Sequence, residues 1–116
     1  MKKGKKELLH GTLELLILKT LAIQPMHGWG ISKYIQQISE DVLEIGQGSL
    51  YPALYRLEDR EWIKAKWGVA DTGRRAKVYT LTPRGRKQIA NEEAQWEAFA
   101  GAVARVLKSA EAGAGS

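Results

Sequence analysis

The first cluster of apolar residues, Leu13 to Ile23, occupies nearly the whole circumference of a helix. The spacing predicts a helix over 12–23 that is capped by Thr12 and ends before Pro25, with an earlier start in 5–9 also open. A helix that is apolar on so many sides must be buried on more than one of them. Since a chain of 116 residues has little with which to cover it, the pattern indicates a subunit interface.

Two shorter helices are predicted next. Isoleucines at 31, 35 and 38 recur at helical spacing, and His27 is expected to cap this second helix. The apolar link 42–45 is open to interpretation as a short strand. A third helix follows the Gly46–Gly48 turn, with Ser49 as its expected N-cap, because Pro52 is tolerated only in a first turn. Its core face comprises Leu50, Ala53, Leu54 and Leu57.

A β-hairpin and a long helix complete the pattern. Residues 62–67 alternate as in a half-buried strand, and residues 77–81 are rich in β-formers, with a basic tip between them. Thr82 and Pro83 predict the start of a helix that runs to about Lys108. Its apolar residues form a heptad seam broken by Glu92, which is typical of packing against another helix.

This order of elements predicts a mostly α protein with a small β-hairpin: a winged helix-turn-helix plus a long C-terminal dimerisation helix. We assign residues 1–81 to the winged helix-turn-helix, of which 1–8 form a basic arm. Residues 82–109 are assigned to the dimerisation helix. Residues 110–116 are expected to be a disordered tail or a remnant of cloning.

The net charge of +5 is unevenly distributed. Positive charge is concentrated in 1–6 and 56–88, whereas the remaining segments are mildly acidic. Two basic blocks favour a polyanionic partner, and a merely solvated basic surface is the alternative. The chain has no cysteine, no apolar run long enough to span a bilayer and no secretory signal. We therefore expect a cytoplasmic bacterial protein with no membrane partner.

Candidate catalytic chemistry is absent from the sequence. His10 and His27 are the only histidines, and no carboxylate cluster with metal-ligand spacing accompanies them. No Ser-His-Asp arrangement, glycine-rich phosphate loop or paired-carboxylate site is apparent. The sequence therefore predicts neither an enzyme, nor a metal site, nor a cofactor.

Four motifs resemble the PadR family of bacterial transcriptional regulators. They are Gly11-Thr-Leu-Glu-Leu-Leu-Ile-Leu18, Gly28-Trp-Gly-Ile31, Gly48-Ser-Leu-Tyr-Pro-Ala-Leu-Tyr-Arg-Leu-Glu58 and Lys77-Val-Tyr-Thr-Leu-Thr-Pro-Arg-Gly-Arg-Lys87. The single C-terminal helix resembles the short subfamily. The resemblance implies a dimeric, ligand-responsive repressor whose last helix packs against the partner's first helix.

On this plan the third helix enters the major groove and the hairpin reaches the adjacent backbone or minor groove. Alternatives stay open for several candidates: the tyrosines could pack on the hairpin, the serine could cap its helix, and Arg56 could pair with an acid. The DNA-contact candidates are Lys5, Lys6, Ser49, Tyr51, Pro52, Tyr55, Arg56, Arg74, Arg75 and Lys77.

The expected homodimer interface comprises Leu15, Leu18, Ile89, Trp96, Phe99, Val103 and Val106. The resemblance also implies a cavity between subunits where flat aromatic ligands stack on a tryptophan. Candidates for that wall are Leu13, Leu16, Ile17, Trp96 and Phe99, with plain interface core as the alternative for the two aromatics.

The sequence thus predicts a homodimeric repressor that binds a palindromic operator in double-stranded DNA and is released by a small aromatic or amphipathic effector. The alternatives are a winged-helix module that binds protein and a drug-sequestering binder without operator specificity. One position departs from the family pattern: Glu61 stands where a glycine usually precedes the first wing strand. A left-handed residue there costs roughly 1 kcal/mol more for Glu than for Gly, so we expect the third helix to end differently and the wing to be angled differently.

Overall fold

The computed structural model describes residues 2–69 and 72–115, apart from the side chains of 2–10, 112, 114 and 115. Four helices and a small antiparallel sheet confirm the predicted winged helix-turn-helix with a long last helix. The elements are α1 (Lys2–Ile23), β1 (Met26–His27), α2 (Gly28–Ile38), α3 (Gln47–Asp59), β2 (Ile63–Val69), β3 (Arg75–Leu81) and α4 (Pro83–Gly115).

The core lies where α1, α2 and α3 meet the inner face of the sheet. Its fully buried side chains are Ile17, Leu18, Ile31, Leu50, Leu54, Leu57 and Ile63. Helix α1 begins ten residues before the expected start at Thr12. Gly11 does not interrupt it, because one internal glycine costs a helix only about 1 kcal/mol.

The predicted start of α3 is wrong. Gly46, not Ser49, is the N-cap, since its carbonyl accepts from the N–H groups of Ser49 and Leu50 at 3.1 and 3.0 Å. Pro52 therefore lies in the second turn of the helix, where it lacks the N–H for the carbonyl four residues earlier. The expected core face of α3 is buried throughout, at Leu50, Ala53, Leu54 and Leu57.

The sheet has three strands in the order β1-β3-β2, one more than the predicted hairpin. The additional strand pairs Met26 with Tyr79 and His27 with Val78. Two residues are too few to produce an alternating pattern, which is why β1 was not predicted from the sequence. The apolar link 42–45 forms no strand.

Strand β2 is half-buried only at its start. Ile63, paired with Leu81, is fully buried, whereas Trp67, four residues further on the same face, is 58% exposed. The hairpin therefore projects beyond the core, and the alternating pattern continues on a part of the strand that lies outside the core.

The different ending expected for α3 is wrong: despite its Cβ, Glu61 takes the left-handed conformation that a glycine would favour, with φ +62°. The Trp62 N–H donates to the Leu57 carbonyl at 3.0 Å and the Glu61 N–H to the Glu58 carbonyl at 2.9 Å, which is a Schellman motif. Thr82 caps α4 as predicted, because its Oγ1 accepts from the Gly85 N–H at 3.0 Å.

Helix α4 continues to Gly115, through the segment expected to be a disordered tail. Its 33 residues correspond to about 50 Å of helix, and the molecule is 62 Å in its longest dimension but only 28 by 22 Å across. Most of α4 therefore projects from the core. No helix among the described residues combines the length and apolar character needed to cross a bilayer.

Candidate nucleic-acid interface

Helix α3 presents two aromatic side chains on the side away from the core. Tyr51 is 44% exposed and Tyr55 is 71% exposed, and Pro52 between them is also exposed. The buried leucines at 50, 54 and 57 fix this orientation, because residues three and four apart share one face of a helix. Ser49 is half-buried at the beginning of this surface.

The two tyrosines differ in their surroundings. The ring of Tyr51 lies against the backbone of Gly28 at the start of α2, whereas Tyr55 is largely open to solvent. Beneath α3, burial raises the pKa of the Tyr79 hydroxyl, and the nearby charges of Glu58 and Tyr51 raise it further. Tyr79 is therefore a neutral core residue near neutral pH.

Arg56 is turned away from the side of α3 that carries Tyr55. Its Nε–H donates to Glu14 Oε2 at 2.7 Å, while the Arg60 Nη1–H donates to Glu14 Oε1 at 2.6 Å. Of the two predictions for Arg56, the ion pair is therefore correct, although the acid is on α1 and not beside it in sequence. The DNA contact predicted for Arg56 is therefore corrected, because Glu14 already engages this guanidinium.

Glu14 is a buried carboxylate between two cations. Burial raises its pKa, but the hydrogen bonds and charges of Arg56 and Arg60 outweigh burial, so the pKa of Glu14 lies below its usual value. The carboxylate is therefore ionised at neutral pH and ties the carboxyl end of α3 to α1.

The wing carries three of the predicted basic residues, all exposed: Arg74, Arg75 and Lys77. Gly73, with φ +85°, forms the turn just before them. The Arg75 guanidinium lies 5.0 Å from the ring centre of Trp67 on the neighbouring strand, a cation–π contact. The side chains of Lys5 and Lys6 lie outside the described residues.

The amino end of α2 lies beside the third helix. His27 caps it as predicted, with Nδ1 accepting from the Gly30 N–H at 3.0 Å. Trp29 follows, 62% exposed, with Lys33 Nζ 4.6 Å from its ring centre. A groove of about 460 Å³ separates this end of α2 from the wing residue Val69.

Sequence reasoning did not include Trp29, Lys33 or Trp67 among the candidates. The available signal was aromatic residues next to basic ones in the elements that flank the third helix. This signal was missed because Trp29 was interpreted as part of a glycine turn and Trp67 as a buried strand position.

The candidates on α1 for the interface and the ligand wall require correction. Leu13, Leu15, Ile17 and Leu18 are all buried within a single chain, so they offer no surface to a partner or a ligand. Leu13, Ile17 and Leu18 pack in the core because α1 runs through the centre of the domain. Leu16 is half-buried and retains some accessible surface.

The seam of α4 has the opposite character. Ile89 is buried in the core, but the remaining members are exposed, together with the neighbouring Leu107: Trp96, Phe99, Val103 and Val106. A row of large apolar side chains on one face of a projecting helix is typical of a subunit interface. No group of three metal-ligating side chains occurs among the described residues.

Three helices, a wing with exposed arginines and an outward-facing tyrosine pair on the third helix define a winged-helix DNA-binding regulator. Residues 17–91 match the model of the transcriptional regulator PadR-like family. The chain belongs to this family, as its motifs predict, and it is a DNA-binding transcriptional regulator.

Individual relatives agree with the family. The chain is 31% identical over 95 residues to the transcriptional regulator Rv3488 of Mycobacterium tuberculosis, covering 82% of this chain and 85% of that protein. A transcriptional regulator from Clostridium thermocellum superposes with a TM-score of 0.78 at 28% identity, over 85% of this chain and 96% of that chain.

An uncharacterised 37.1 kDa protein in transposon TN4556 of Streptomyces fradiae is 35% identical over 97 residues. The match covers 84% of this chain but only 26% of that protein, so the chain spans about a quarter of its length.

Proposed function

We propose that the protein is a homodimeric, sequence-specific transcriptional repressor that binds a palindromic operator and leaves it when a small aromatic or amphipathic effector binds between the subunits. The observation that supports DNA reading most directly is the two-sided α3. Its leucines are buried, while Tyr51, Pro52 and Tyr55 remain exposed on a helix of 13 residues. The major groove is wide enough to admit such a helix.

The wing supplies sequence-independent affinity. Arg74, Arg75 and Lys77 are exposed on a hairpin that extends past the core, and Ser49 stands at the start of the reading helix. Arginine and lysine side chains that neutralise DNA phosphates release counterions from the DNA, whereas contacts from α3 discriminate between bases. The basic arm, with Lys5 and Lys6, adds to the first kind of contact.

The dimer rests on α4. The exposed seam residues Trp96, Phe99, Val103 and Val106 provide the apolar surface that a second copy would cover. Since each copy holds one α3, a two-fold dimer places two reading helices about 34 Å apart, or one turn of DNA. Such a dimer matches a palindromic operator, in which the two half-sites are related by the same symmetry.

An effector would act through this spacing. Trp96 and Phe99 offer flat, half-open aromatic surfaces on α4, and Leu16 is the α1 candidate that keeps accessible surface. A ligand that binds better to a dimer with a mismatched spacing shifts the population away from the DNA-binding form.

A gel-shift titration tests the proposal, using a duplex from the region upstream of the protein's own gene and a scrambled duplex of equal length at the same salt. We expect the dimeric protein to bind the upstream duplex at least tenfold more tightly than the scrambled one. Regulators commonly bind their operators about 1,000-fold or more tightly than nonspecific DNA. Equal affinity for both duplexes would contradict sequence-specific repression from that site.

The effector is tested separately. A panel of flat aromatic compounds is titrated while tryptophan fluorescence and DNA release are followed. Ligand-dependent quenching that disappears in Trp96→Ala supports the proposed site. Release of DNA without any change in this signal would place the effector elsewhere.

A further inference from the structure

The start of α2 is in contact with the most constrained tyrosine of α3. An ideal Cβ built on Gly28 would lie 2.9 Å from the Tyr51 hydroxyl oxygen and 3.1 Å from two carbons of its ring. The first distance is shorter than real Cβ contacts show and the other two are tight, so the Tyr51 ring would have to shift to make room for a side chain at position 28.

Space, and not backbone conformation, accounts for glycine at this position. Among the described glycines, Gly73 is the one with a positive φ, so the backbone of Gly28 accepts any L-residue. Gly28 is the first residue of α2 and is itself buried. An alanine there would fit the helix but would collide with the ring.

The α2 side of this contact cannot easily retreat. The preceding residues, Met26 and His27, pair with Tyr79 and Val78 of the sheet. His27 also caps the first turn of α2 through the Gly30 N–H. Because both ends of this short segment are hydrogen-bonded, the movable partner is the Tyr51 side chain, which is 44% exposed.

We propose that Gly28 is a positioning residue for DNA recognition: its missing side chain lets the Tyr51 ring rest on α2 and holds the tyrosine hydroxyl at the junction of α2 and α3. This inference rests on the proposed DNA contact of Tyr51. A side chain held before binding loses less rotamer freedom when it meets DNA, so the contact raises affinity without adding a new group to the interface.

The test is a double-mutant cycle of Gly28→Ala and Tyr51→Ala, because residues that act through one another give non-additive effects. The probe is a duplex recovered by the wild-type protein from a randomised library, and affinity is measured by fluorescence anisotropy. We expect Gly28→Ala to weaken binding roughly 3- to 10-fold in the Tyr51 protein. In the Tyr51→Ala background the same change should weaken binding by less than about twofold.

Gly11→Ala is the matched control, since a Cβ on this glycine of α1 meets nothing within 4 Å. It should leave affinity unchanged. Thermal unfolding and circular dichroism establish that each variant is folded before its affinity is compared.

Equal losses from Gly28→Ala in both backgrounds, or no loss in either, would overturn the inference. Tyr51→Phe provides a second measurement that does not depend on the folding of Gly28→Ala. It keeps the ring on Gly28 and removes the hydroxyl, so its affinity should fall to the level of Tyr51→Ala. Wild-type affinity in Tyr51→Phe would show that the hydroxyl is not what Gly28 positions.

Failure of the proposed function is distinguishable from failure of this inference. If the wild-type protein enriches no duplex from the library, sequence-specific binding itself is absent, and the inference falls with it. If the wild-type protein enriches a duplex but the cycle is additive, only the role of Gly28 is lost.

Discussion

Glu14 on α1 and Arg56 on α3 form an ion pair at 2.7 Å although they are 42 residues apart in the chain. The carboxylate side chain is only 11% exposed, and Arg60 binds its other oxygen at 2.6 Å. One terminal nitrogen of Arg56, Nη2, is buried without a hydrogen-bond partner among the described residues. This guanidinium is therefore held in the joint between the two helices.

The first prediction concerns stability and pH. Glu14→Gln removes the charge that two arginines face, and we expect a loss of about 2 kcal/mol in the free energy of unfolding at pH 7. The pKa of Glu14 is lowered in the folded state, so its stabilisation is present above the ordinary glutamate pKa and is lost as pH falls through the lowered value. Urea titrations of both proteins from pH 7 to pH 3 measure this difference.

The difference between the two proteins should shrink as the pH falls below about 4.5. Glu97→Gln, on the projecting part of α4, is the control for removing one surface carboxylate and should unfold like the wild-type protein. A difference that stays constant down to pH 3 would contradict the assigned role of Glu14.

The second prediction concerns the wing. Arg74→Ala combined with Arg75→Ala should weaken binding to all duplexes and flatten the dependence of affinity on salt. Each lost phosphate contact reduces the slope of log K against log salt by about 0.9, so a dimer should lose roughly 2 to 4 from its slope. Anisotropy titrations between about 50 and 300 mM KCl give the slope.

Arg105→Ala combined with Lys108→Ala is the charge-matched control, because both residues are exposed on α4 far from the hairpin. Their removal should leave the slope nearly unchanged. An equal effect of both double variants would mean that net charge, and not the wing, sets the salt dependence.

The third prediction concerns the subunit interface. Phe99 is 62% exposed in the single chain, and Phe99→Glu places a charge in the middle of the α4 seam. We expect the variant to sediment as a monomer at micromolar concentration, because an unpaired charge is costly to bury. Sedimentation velocity measures the mass directly.

Ala98→Glu adds the same charge one residue earlier, away from the seam, and should sediment like the wild-type protein. A wild-type protein that is itself a stable monomer would refute the proposed dimer.

The fourth prediction concerns the joint between the wing and α4. A Cβ on Gly85 would overlap the Trp62 carbonyl oxygen, a backbone atom that cannot swing aside. Gly85→Ala should therefore destabilise the fold by about 1–3 kcal/mol, the usual range for overpacking. Gly101→Ala, whose nearest neighbour is the flexible end of Arg105 at 3.5 Å, should be neutral or stabilising in the same denaturation assay.

The fifth prediction concerns Glu61, whose φ of +62° is unfavourable for a residue with a Cβ. Glu61→Gly should stabilise the protein by about 1 kcal/mol. Glu61→Ala removes the same carboxylate but keeps the Cβ, so it should bring no gain in thermal unfolding. Arg84 Nη1 lies 3.9 Å from Glu61 Oε2, a contact that both variants remove. Equal stability of the two variants would therefore contradict a cost from the backbone conformation.

Local patterns in the sequence determined most of the fold. Thr82 and His27 were identifiable as caps, because capping depends on side chains within a few residues of the helix start. The buried face of α3 followed from leucines at helical spacing. The family motifs supported the same prediction of the fold, since their spacing reflects the same local constraints.

Only the tertiary structure decided which distant segment each of these faces packs against. The sequence identified Leu18 as apolar but could not show that α1 runs through the core. It identified Arg56 as basic but could not show that Glu14, on another helix, is its partner. The strand at Met26 and the contact between Gly28 and Tyr51 likewise exist only because distant segments meet. Periodicity fixes which side of an element is apolar, whereas the partner of that side depends on packing between segments far apart in the chain.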